Sequence, residues 1–318
     1  MDFRVKVLEC LGKFPDKVEL ESEVISSTDK GTHILQLVEY NVAMDERIQA
    51  YLLLPKELKS NNPAILASHQ HADEFFLGKS EPAGLSGNPM YHYGLELCLK
   101  GYVVLCPDHL CFEDRRPPEG QRRKDHYLDG GNYERFVFGK CILEGSTLQA
   151  KYLSDLCRGV DLLESLNFVD ADRIGAIGHS LGGQETLWLA WYDPRIKAAI
   201  SSCGFSQIRS ILRDGINHNL ALYAYGLLNS GDMGDLVCDM APKPFLMTNG
   251  ANDRIFPIDG VKEIAKMASE KYGRMEKGKN FKSIIFEGGH CFPDEVKDEA
   301  YDWLDRFLRY EFIGLDTE

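Results

Sequence analysis

The amino-acid sequence predicts an α/β protein with a mostly parallel, twisted sheet, helices on both faces and an N-terminal antiparallel hairpin. Short, continuous apolar runs recur along the chain, as strands buried on both faces require. Helical patterns separate several of these runs, which favours parallel crossover connections. Two earlier runs alternate apolar and polar residues instead, as hairpin strands do. The apolar runs are residues 64–67, 102–105, 174–177, 198–200, 245–247 and 283–286, and the helical patterns cover about 149–167, 181–192, 258–272 and 294–310.

The N-terminal part of the chain predicts a surface helix and then the hairpin. Residues 1–30 are expected to form a helical extension, which starts with an amphipathic piece near Phe3 and continues as a polar connector. Residues 32–42 and 47–54 have strand-like patterns joined by a short polar link, and Pro55 is expected to end the second strand.

Two later segments do not fit the strand–helix alternation. Residues 107–148 are polar and rich in Arg, Gly and Pro, and residues 204–240 carry mixed helix and loop signals. Both lie between core elements, so we expect cap-like insertions that cover a site rather than separate domains. The length of 318 residues is then that of one large α/β domain with decorations.

Composition favours a cytoplasmic protein that acts on a small molecule. The net charge of −13 disfavours nucleic acid and anionic membranes as partners, because both repel an acidic chain. The nine cysteines are odd in number and include no C-x-x-C pair, which favours reduced thiols over a disulfide framework. We find no secretory signal and no apolar run long enough to span a membrane. Nothing in the sequence indicates the oligomeric state.

The strongest chemical signal is the segment GHSLGG at residues 178–183. It follows an apolar strand and precedes a helical pattern, and this context predicts a sharp turn that projects Ser180 as a nucleophile. The flanking glycines remove Cβ atoms that would clash in such a turn. The helix that follows presents free N–H groups near the position of a developing oxyanion.

A serine nucleophile needs a base and an acid that orients the base. His290 directly follows the last predicted strand, and two glycines before it permit a tight loop over the sheet. Asp253 lies in the loop after the preceding strand, between serine and histidine in the chain, where the acid is expected. Asp259 is the alternative acid, although it is more typical of a helix N-cap.

Two backbone N–H groups are candidates for an oxyanion hole. The N–H of Leu181 would begin the helix after the nucleophile, and that of His71 lies in the loop after the strand at 64–67. His69, Gln70 and His179 flank these positions and are candidates for substrate contact.

These motifs resemble the α/β-hydrolase superfamily over roughly residues 45–312. Within it, the chain is most similar to dienelactone-hydrolase-like and acetyl-xylan-esterase-like enzymes, a group related to the catalytic domain of prolyl-oligopeptidase-type peptidases. The resemblance implies an α/β-hydrolase fold, a Ser-His-Asp triad and no cofactor or metal. Dienelactone hydrolase itself has a cysteine nucleophile, so Ser180 favours ester hydrolysis. The resemblance is carried by GHSLGG (178–183), GANDRIFP (250–257), EGGH (287–290), VDADRI (169–174) and APKP (241–244).

The sequence therefore predicts a serine hydrolase that cleaves a carboxylic ester, and three alternatives stay open. A peptidase or amidase is disfavoured by the absence of a propeller-sized N-terminal domain. A zinc hydrolase could use the His69/His71 loop, since two histidines and an aspartate at this spacing can face one metal. A non-catalytic binding protein would be expected to lack a triad residue.

The basic run at residues 115–124 and the cysteine at position 291 each allow two interpretations. The basic run at residues 115–124 is either a solvated loop or an attractor for an anionic substrate group. Cys291 is either a redox-sensitive thiol next to His290 or a packed small residue.

Overall fold

The computed structural model describes residues 2–117 and 128–309, which form a nine-stranded sheet flanked by helices. In the sheet, the strand order is β1-β2-β3-β5-β4-β6-β7-β8-β9. The six strands from β5 to β9 along this order are parallel, and β1, β2 and β3 form an antiparallel extension. The strands are β1 (Glu23–Asp29), β2 (His33–Ala43), β3 (Glu46–Pro55), β4 (Asn62–Ser68), β5 (Val103–Pro107), β6 (Val169–His179), β7 (Ile196–Ser202), β8 (Phe245–Gly250) and β9 (Phe281–Phe286).

The helices lie on both faces of the sheet, which completes the predicted fold class. On one face, α4 and α5 pack over a large apolar cluster; on the other, α2 and α9 pack over a second one. Among the described residues, the helices are α1 (Phe3–Leu11), α2 (Tyr93–Leu99), α3 (Gly130–Leu143), α4 (Leu148–Ser165), α5 (Leu181–Tyr192), α6 (Ile208–Arg213), α7 (Met233–Asp239), α8 (Ile258–Arg274) and α9 (Asp294–Leu308). The four helical patterns of the sequence thus correspond to α4, α5, α8 and α9.

The N-terminal extension differs from the prediction. It is helical only over α1, and part of the predicted polar connector forms the edge strand β1, which pairs with β2. All seven residues of β1 are exposed, so the strand carries no alternation of buried and exposed positions that a sequence pattern could reveal. Pairing with the neighbouring backbone, rather than burial of side chains, therefore defines this strand.

The first residues of the basic run have structural partners. The buried guanidinium of Arg115 forms ion pairs with Glu46 and with Asp155, the latter at 2.8 Å. Arg116 stacks over the ring of Phe76, with its guanidinium carbon 4.0 Å from the ring centroid. The remainder of the run, from residue 118 onwards, lies outside the described residues.

The acidic groups near this run pair with a buried lysine. Asp108, Glu113 and Asp114 surround the ammonium of Lys79 at 2.5–2.9 Å. A buried lysine is tolerated only with such paired, hydrogen-bonded carboxylates. This cluster ties the loop after β4 to the loop after β5.

Among the described residues, no helix combines the length and the apolar character needed to cross a bilayer.

Candidate active site

Ser180 occupies the sharp turn between β6 and α5, as predicted. Its backbone angles are φ 56° and ψ −120°, a strained conformation for a residue with a Cβ. Two backbone hydrogen bonds hold the turn. The Ser180 N–H donates to the carbonyl of Ser202 in β7 at 2.9 Å, and the Ser180 carbonyl accepts from the Gln184 N–H in α5 at 3.0 Å. The surrounding sheet and helix therefore hold this conformation and place the serine at the carboxyl end of the parallel strands.

Glycine is required at two positions of this turn because the backbones approach each other closely. A Cβ on Gly178 would lie 2.2 Å from the Gly182 carbonyl oxygen. A Cβ on Gly182 would lie 2.0 Å from the Ser68 carbonyl oxygen, at the end of β4. The second contact presses the first turn of α5 against the β4 loop, the two elements expected to supply the oxyanion N–H groups.

His290 and Asp253 meet at the ends of the last two strands. The Nδ1 of His290 lies 2.8 Å from Oδ2 of Asp253, whose side chain is fully buried. The other carboxylate oxygen of Asp253 accepts the backbone N–H groups of Ile255 at 2.9 Å and Phe256 at 3.3 Å. These bonds hold the carboxylate against the loop and leave one oxygen for the imidazole.

Asp259, the alternative acid, does not contact the histidine. It lies in the first turn of α8, exposed, and forms an ion pair with Arg213. The N-cap of α8 is Pro257 rather than Asp259. Of the two acids weighed from the sequence, only Asp253 is joined to His290.

The two candidate oxyanion groups come from two different elements. Leu181 is the first residue of α5, so its N–H has no acceptor within the helix. His71 belongs to the loop after β4 and lines the same cavity as Ser180. Its ring is fixed: Nε2 lies 3.2 Å from Glu134, and Nδ1 accepts the N–H of Asp73 at 3.0 Å.

His69 lies beneath the cavity rather than on its wall, contrary to the expectation of substrate contact. Its Nε2 accepts the His109 N–H at 3.0 Å, so the proton is on Nδ1, which donates to the Gln70 carbonyl at 2.7 Å. Burial lowers the pKa of His69 to about 4, so the ring is neutral. Because both ring nitrogens are bonded within the protein, the zinc alternative loses its first ligand. The Gln70 side chain donates to Glu81 at 2.8 Å, and the residue lines the cavity.

His179 is also buried, where it supports the base rather than the substrate. Its Nδ1 lies 3.0 Å from the Ser202 hydroxyl, and its ring stacks on Tyr91 with centroids 4.5 Å apart. The His290 ring lies 4.7 Å away, centroid to centroid. Burial, and secondarily the charge of His290, lowers the pKa of His179 well below that of a free imidazole. An uncharged ring therefore packs behind His290.

Two cysteines lie near the triad. The Cys203 thiol donates to the Cys291 carbonyl at 3.4 Å, and among the described residues Cys203, Asp253 and His290 form one of two clusters with metal-ligand geometry. A metal there would have to break the bond between Asp253 and His290, so these residues fit a triad better than a metal site. Burial raises the pKa of the Cys291 thiol, which favours the interpretation of a packed residue over a reactive one.

The cavity in front of Ser180 has a volume of about 350 Å³. Both predicted insertions contribute to its wall: Glu134 and Arg135 come from α3, and His218 and Asn219 come from the 204–240 segment. Sequence reasoning missed these four residues because they lie in segments without apolar periodicity. The lining residues are Gln70, His71, Ala72, Asp73, Phe75, Gly131, Glu134, Arg135, Ser180, Asn217, His218, Asn219, Leu220, Ile255 and His290.

Comparison with known proteins places this geometry in a family. The sequence pattern of the prolyl oligopeptidase family (Peptidase S9) matches residues 146–312, more than half of the chain, including Ser180, Asp253 and His290.

The chain belongs to the prolyl oligopeptidase family.

Several known proteins resemble this family member over most of its length. “Putative hydrolase YtaP” of Bacillus subtilis is 26% identical over 308 residues, which are 96% of this chain and 98% of that protein. A structure described as a putative acetyl xylan esterase from Bacteroides fragilis has a TM-score of 0.73 at 17% identity, covering 89% of this chain and 75% of its own. Glucuronoyl esterase from Solibacter usitatus has a TM-score of 0.68 at 17% identity, covering 95% and 91%. The predicted α/β-hydrolase fold and superfamily are confirmed.

A buried carboxyl group lies on the helix that follows Ser180 in this prolyl oligopeptidase family member. Glu185, on α5, accepts hydrogen bonds from the side-chain amides of Gln149 at 2.6 Å and Gln184 at 3.4 Å. Burial raises the pKa of Glu185 to about 8, against the lowering effect of the two amides. No ion pair links Glu185 to a cation within the described part of the chain.

The contact of Gly182 with the β4 loop gives a test of the turn geometry. We expect Gly182→Ala to lower the free energy of unfolding by about 3 kcal/mol or more, because the added Cβ meets backbone that has no room to move. Gly139→Ala is the control: its Cβ would meet nothing within 4 Å in the interior of α3, so stability should rise by about 0.5–1 kcal/mol. Urea unfolding followed by circular dichroism measures both. Equal stability of the two variants would contradict the close contact.

Glu185 gives a pH-dependent test. Between pH 4.5 and about 8 the folded state retains a proton that the unfolded chain has released. The contribution of Glu185 to stability is therefore full below pH 4.5 and is lost as pH rises through about 8. We expect Glu185→Gln to gain in melting temperature relative to the wild type as pH increases from 5 to 8.5. The exposed Glu144→Gln controls for the loss of one negative charge and should follow the wild-type curve in parallel. A constant difference between Glu185→Gln and the wild type would contradict the raised pKa.

Proposed function

We propose that this protein is a serine hydrolase that cleaves a carboxylic ester of a small substrate through an acyl-enzyme. One observation carries the proposal. Ser180 stands on a strained strand–helix turn, and it shares a cavity with a histidine whose Nδ1 is bonded to a buried aspartate. A serine hydroxyl becomes nucleophilic only beside such a base, and these three groups are what acyl transfer requires.

In the first half of the reaction, His290 Nε2 removes the proton of Ser180 as Oγ attacks the ester carbonyl carbon. A C–O bond forms and the carbonyl electron pair moves to oxygen. The Asp253 carboxylate accepts the Nδ1–H of His290, so it fixes the tautomer and stabilises the imidazolium that develops. Collapse of the tetrahedral intermediate expels the alcohol, which takes its proton from His290 and leaves the acyl group on Ser180.

The oxyanion is bound by the N–H of Leu181 and by the N–H of His71. The close contact between α5 and the β4 loop holds these two donors in place before the substrate arrives, which is the requirement for electrostatic catalysis. In the second half, water gives a proton to His290 and attacks the acyl carbon. The bond from that carbon to Ser180 Oγ then breaks, Oγ takes the proton back from His290, and the carboxylic acid is released. No cofactor or metal takes part in these steps.

The dimensions of the cavity favour a small substrate. A volume of about 350 Å³ lies at the lower end of the range for small-molecule sites. Two structural relatives are named as esterases, which supports an ester substrate. The matching family, in contrast, is named after a peptidase. Small esters and the corresponding amides therefore separate the two candidate activities.

Substitution of the triad tests the proposal. We expect the wild type to hydrolyse 4-nitrophenyl acetate and to leave the matched 4-nitroacetanilide largely intact. Ser180→Ala should lower kcat by several orders of magnitude, because the attacking oxygen is lost. Asp253→Asn should lower it by about 10⁴-fold, as the equivalent change does in serine proteases, because the imidazole loses the partner that sets its tautomer.

Asp259→Asn is the matched control for the acid. It removes an exposed carboxylate that pairs with Arg213, and we expect its kcat to stay within about twofold of the wild type. Near-full ester hydrolysis by Ser180→Ala, with folding shown by circular dichroism, would refute the nucleophile. A loss below tenfold in Asp253→Asn would move the acid role to another residue.

A further inference from the structure

His218 is a titratable group of the cavity that the proposed mechanism does not use. It lies in the 204–240 segment and lines the same cavity as Ser180 and His290. Its ring packs on Phe256 with centroids 4.7 Å apart, and Phe256 lies in the same loop as the catalytic acid. The ring is therefore fixed in position at the edge of the reacting centre.

The hydrogen bonds of Asn219 determine which nitrogen of His218 carries the proton. The backbone N–H of Leu222 can only donate, and it donates to Asn219 Oδ1 at 3.2 Å. The other amide atom of Asn219 is therefore nitrogen, which donates to His218 Nδ1 at 2.9 Å. Since Nδ1 accepts, a neutral His218 has its proton on Nε2.

A chain of side-chain amides, which leads from Asn219 into the interior, agrees with this assignment. The amide nitrogen of Asn219 also donates to Gln184 Oε1 at 3.1 Å, and Gln184 donates onward to Gln149 Oε1 at 3.0 Å. Gln149 in turn donates to the carboxyl group of Glu185. Every member takes its orientation from the backbone N–H at the start of the chain, which can only donate. Reversing Asn219 would set an amide N–H against the N–H of Leu222.

Within the described part of the chain, the Nε2 atom of His218 has no hydrogen-bond partner. It is shielded from solvent, and no acceptor lies within hydrogen-bond distance among residues 2–117 and 128–309. An unsatisfied buried donor costs about 1–3 kcal/mol, so such a group at a site is typical of one that a ligand satisfies. Burial lowers the pKa of His218 to about 4, so the ring is a neutral donor rather than a cation at physiological pH.

We propose that His218 is a substrate-binding residue whose Nε2–H donates a hydrogen bond to an ether or hydroxyl oxygen of the substrate, distinct from the reacting carbonyl. The inference rests on the proposed ester hydrolysis, in which the carbonyl oxygen is bound by the N–H groups of Leu181 and His71. The enzyme then selects esters that carry such an oxygen, because an all-carbon ester leaves the donor buried and unpaired.

Two pairs of substrates that differ by one atom test this selection. In 4-nitrophenyl methoxyacetate and butanoate, an acyl-side oxygen replaces a methylene; in 2-methoxyethyl and butyl acetate, the replacement is on the alcohol side. We expect His218→Phe, which keeps an aromatic ring against Phe256, to lower kcat/KM for the oxygen-bearing member of one pair by about tenfold relative to its methylene counterpart. His218→Gln, which restores an amide donor, should recover part of this loss.

Equal effects on both members of both pairs would overturn the proposal, since a purely structural role of His218 changes all four rates together. Nitrogen-15 NMR of the wild-type imidazoles provides a second test that needs no variant and no turnover. We expect the His218 ring to be neutral with its proton on Nε2 from pH 5.5 to 8. A proton on Nδ1, or a charged ring, would overturn the assignment. If the wild type hydrolyses none of the four esters, ester hydrolysis fails while the NMR result still decides the state of His218.

Discussion

The structure depends on the close approach of the first turn of α5 to the end of β4. At Gly182 no atom beyond the α-carbon fits against the Ser68 carbonyl, so helix and strand lie as near to each other as two backbones can. The contact joins the turn at Ser180, the helix terminus at Leu181 and the loop that carries His71. The proposed oxyanion site would therefore be preorganised by backbone packing rather than by any single side chain.

The parallel sheet and the two insertions, residues 107–148 and 204–240, contribute different parts of the candidate site. The ends of the parallel strands β6, β8 and β9 carry the proposed nucleophile, acid and base, whose positions are set by backbone register and by buried hydrogen bonds. The two long segments supply the wall of the cavity, including Glu134 from α3 and His218 from the 204–240 segment. In the proposed mechanism, the residues that react are held by the sheet, and the residues that select the substrate lie in the two insertions.

The sequence predicted the sheet, its four long helices and the assembly of Asp253 with His290, because each depends on local patterns at strand ends. It did not predict strand β1, whose side chains are all exposed and leave no periodic signal. It placed His69 and His179 against the substrate, whereas both are buried supports; burial of a polar side chain depends on distant elements. His218 was missed because its importance arises from hydrogen bonds with residues far away in the chain. The single-domain assignment and the cytoplasmic location stay predictions from the sequence, which makes none about the oligomeric state.

The central claim is that His290 activates Ser180, and labelling with a fluorophosphonate probe tests it most directly. The probe reacts with serines whose hydroxyl is activated by a base, and mass spectrometry identifies the modified peptide. The account predicts one adduct, on Ser180, that is absent in His290→Ala while the variant remains folded. An adduct on another residue, or no adduct on the folded wild type, would contradict it.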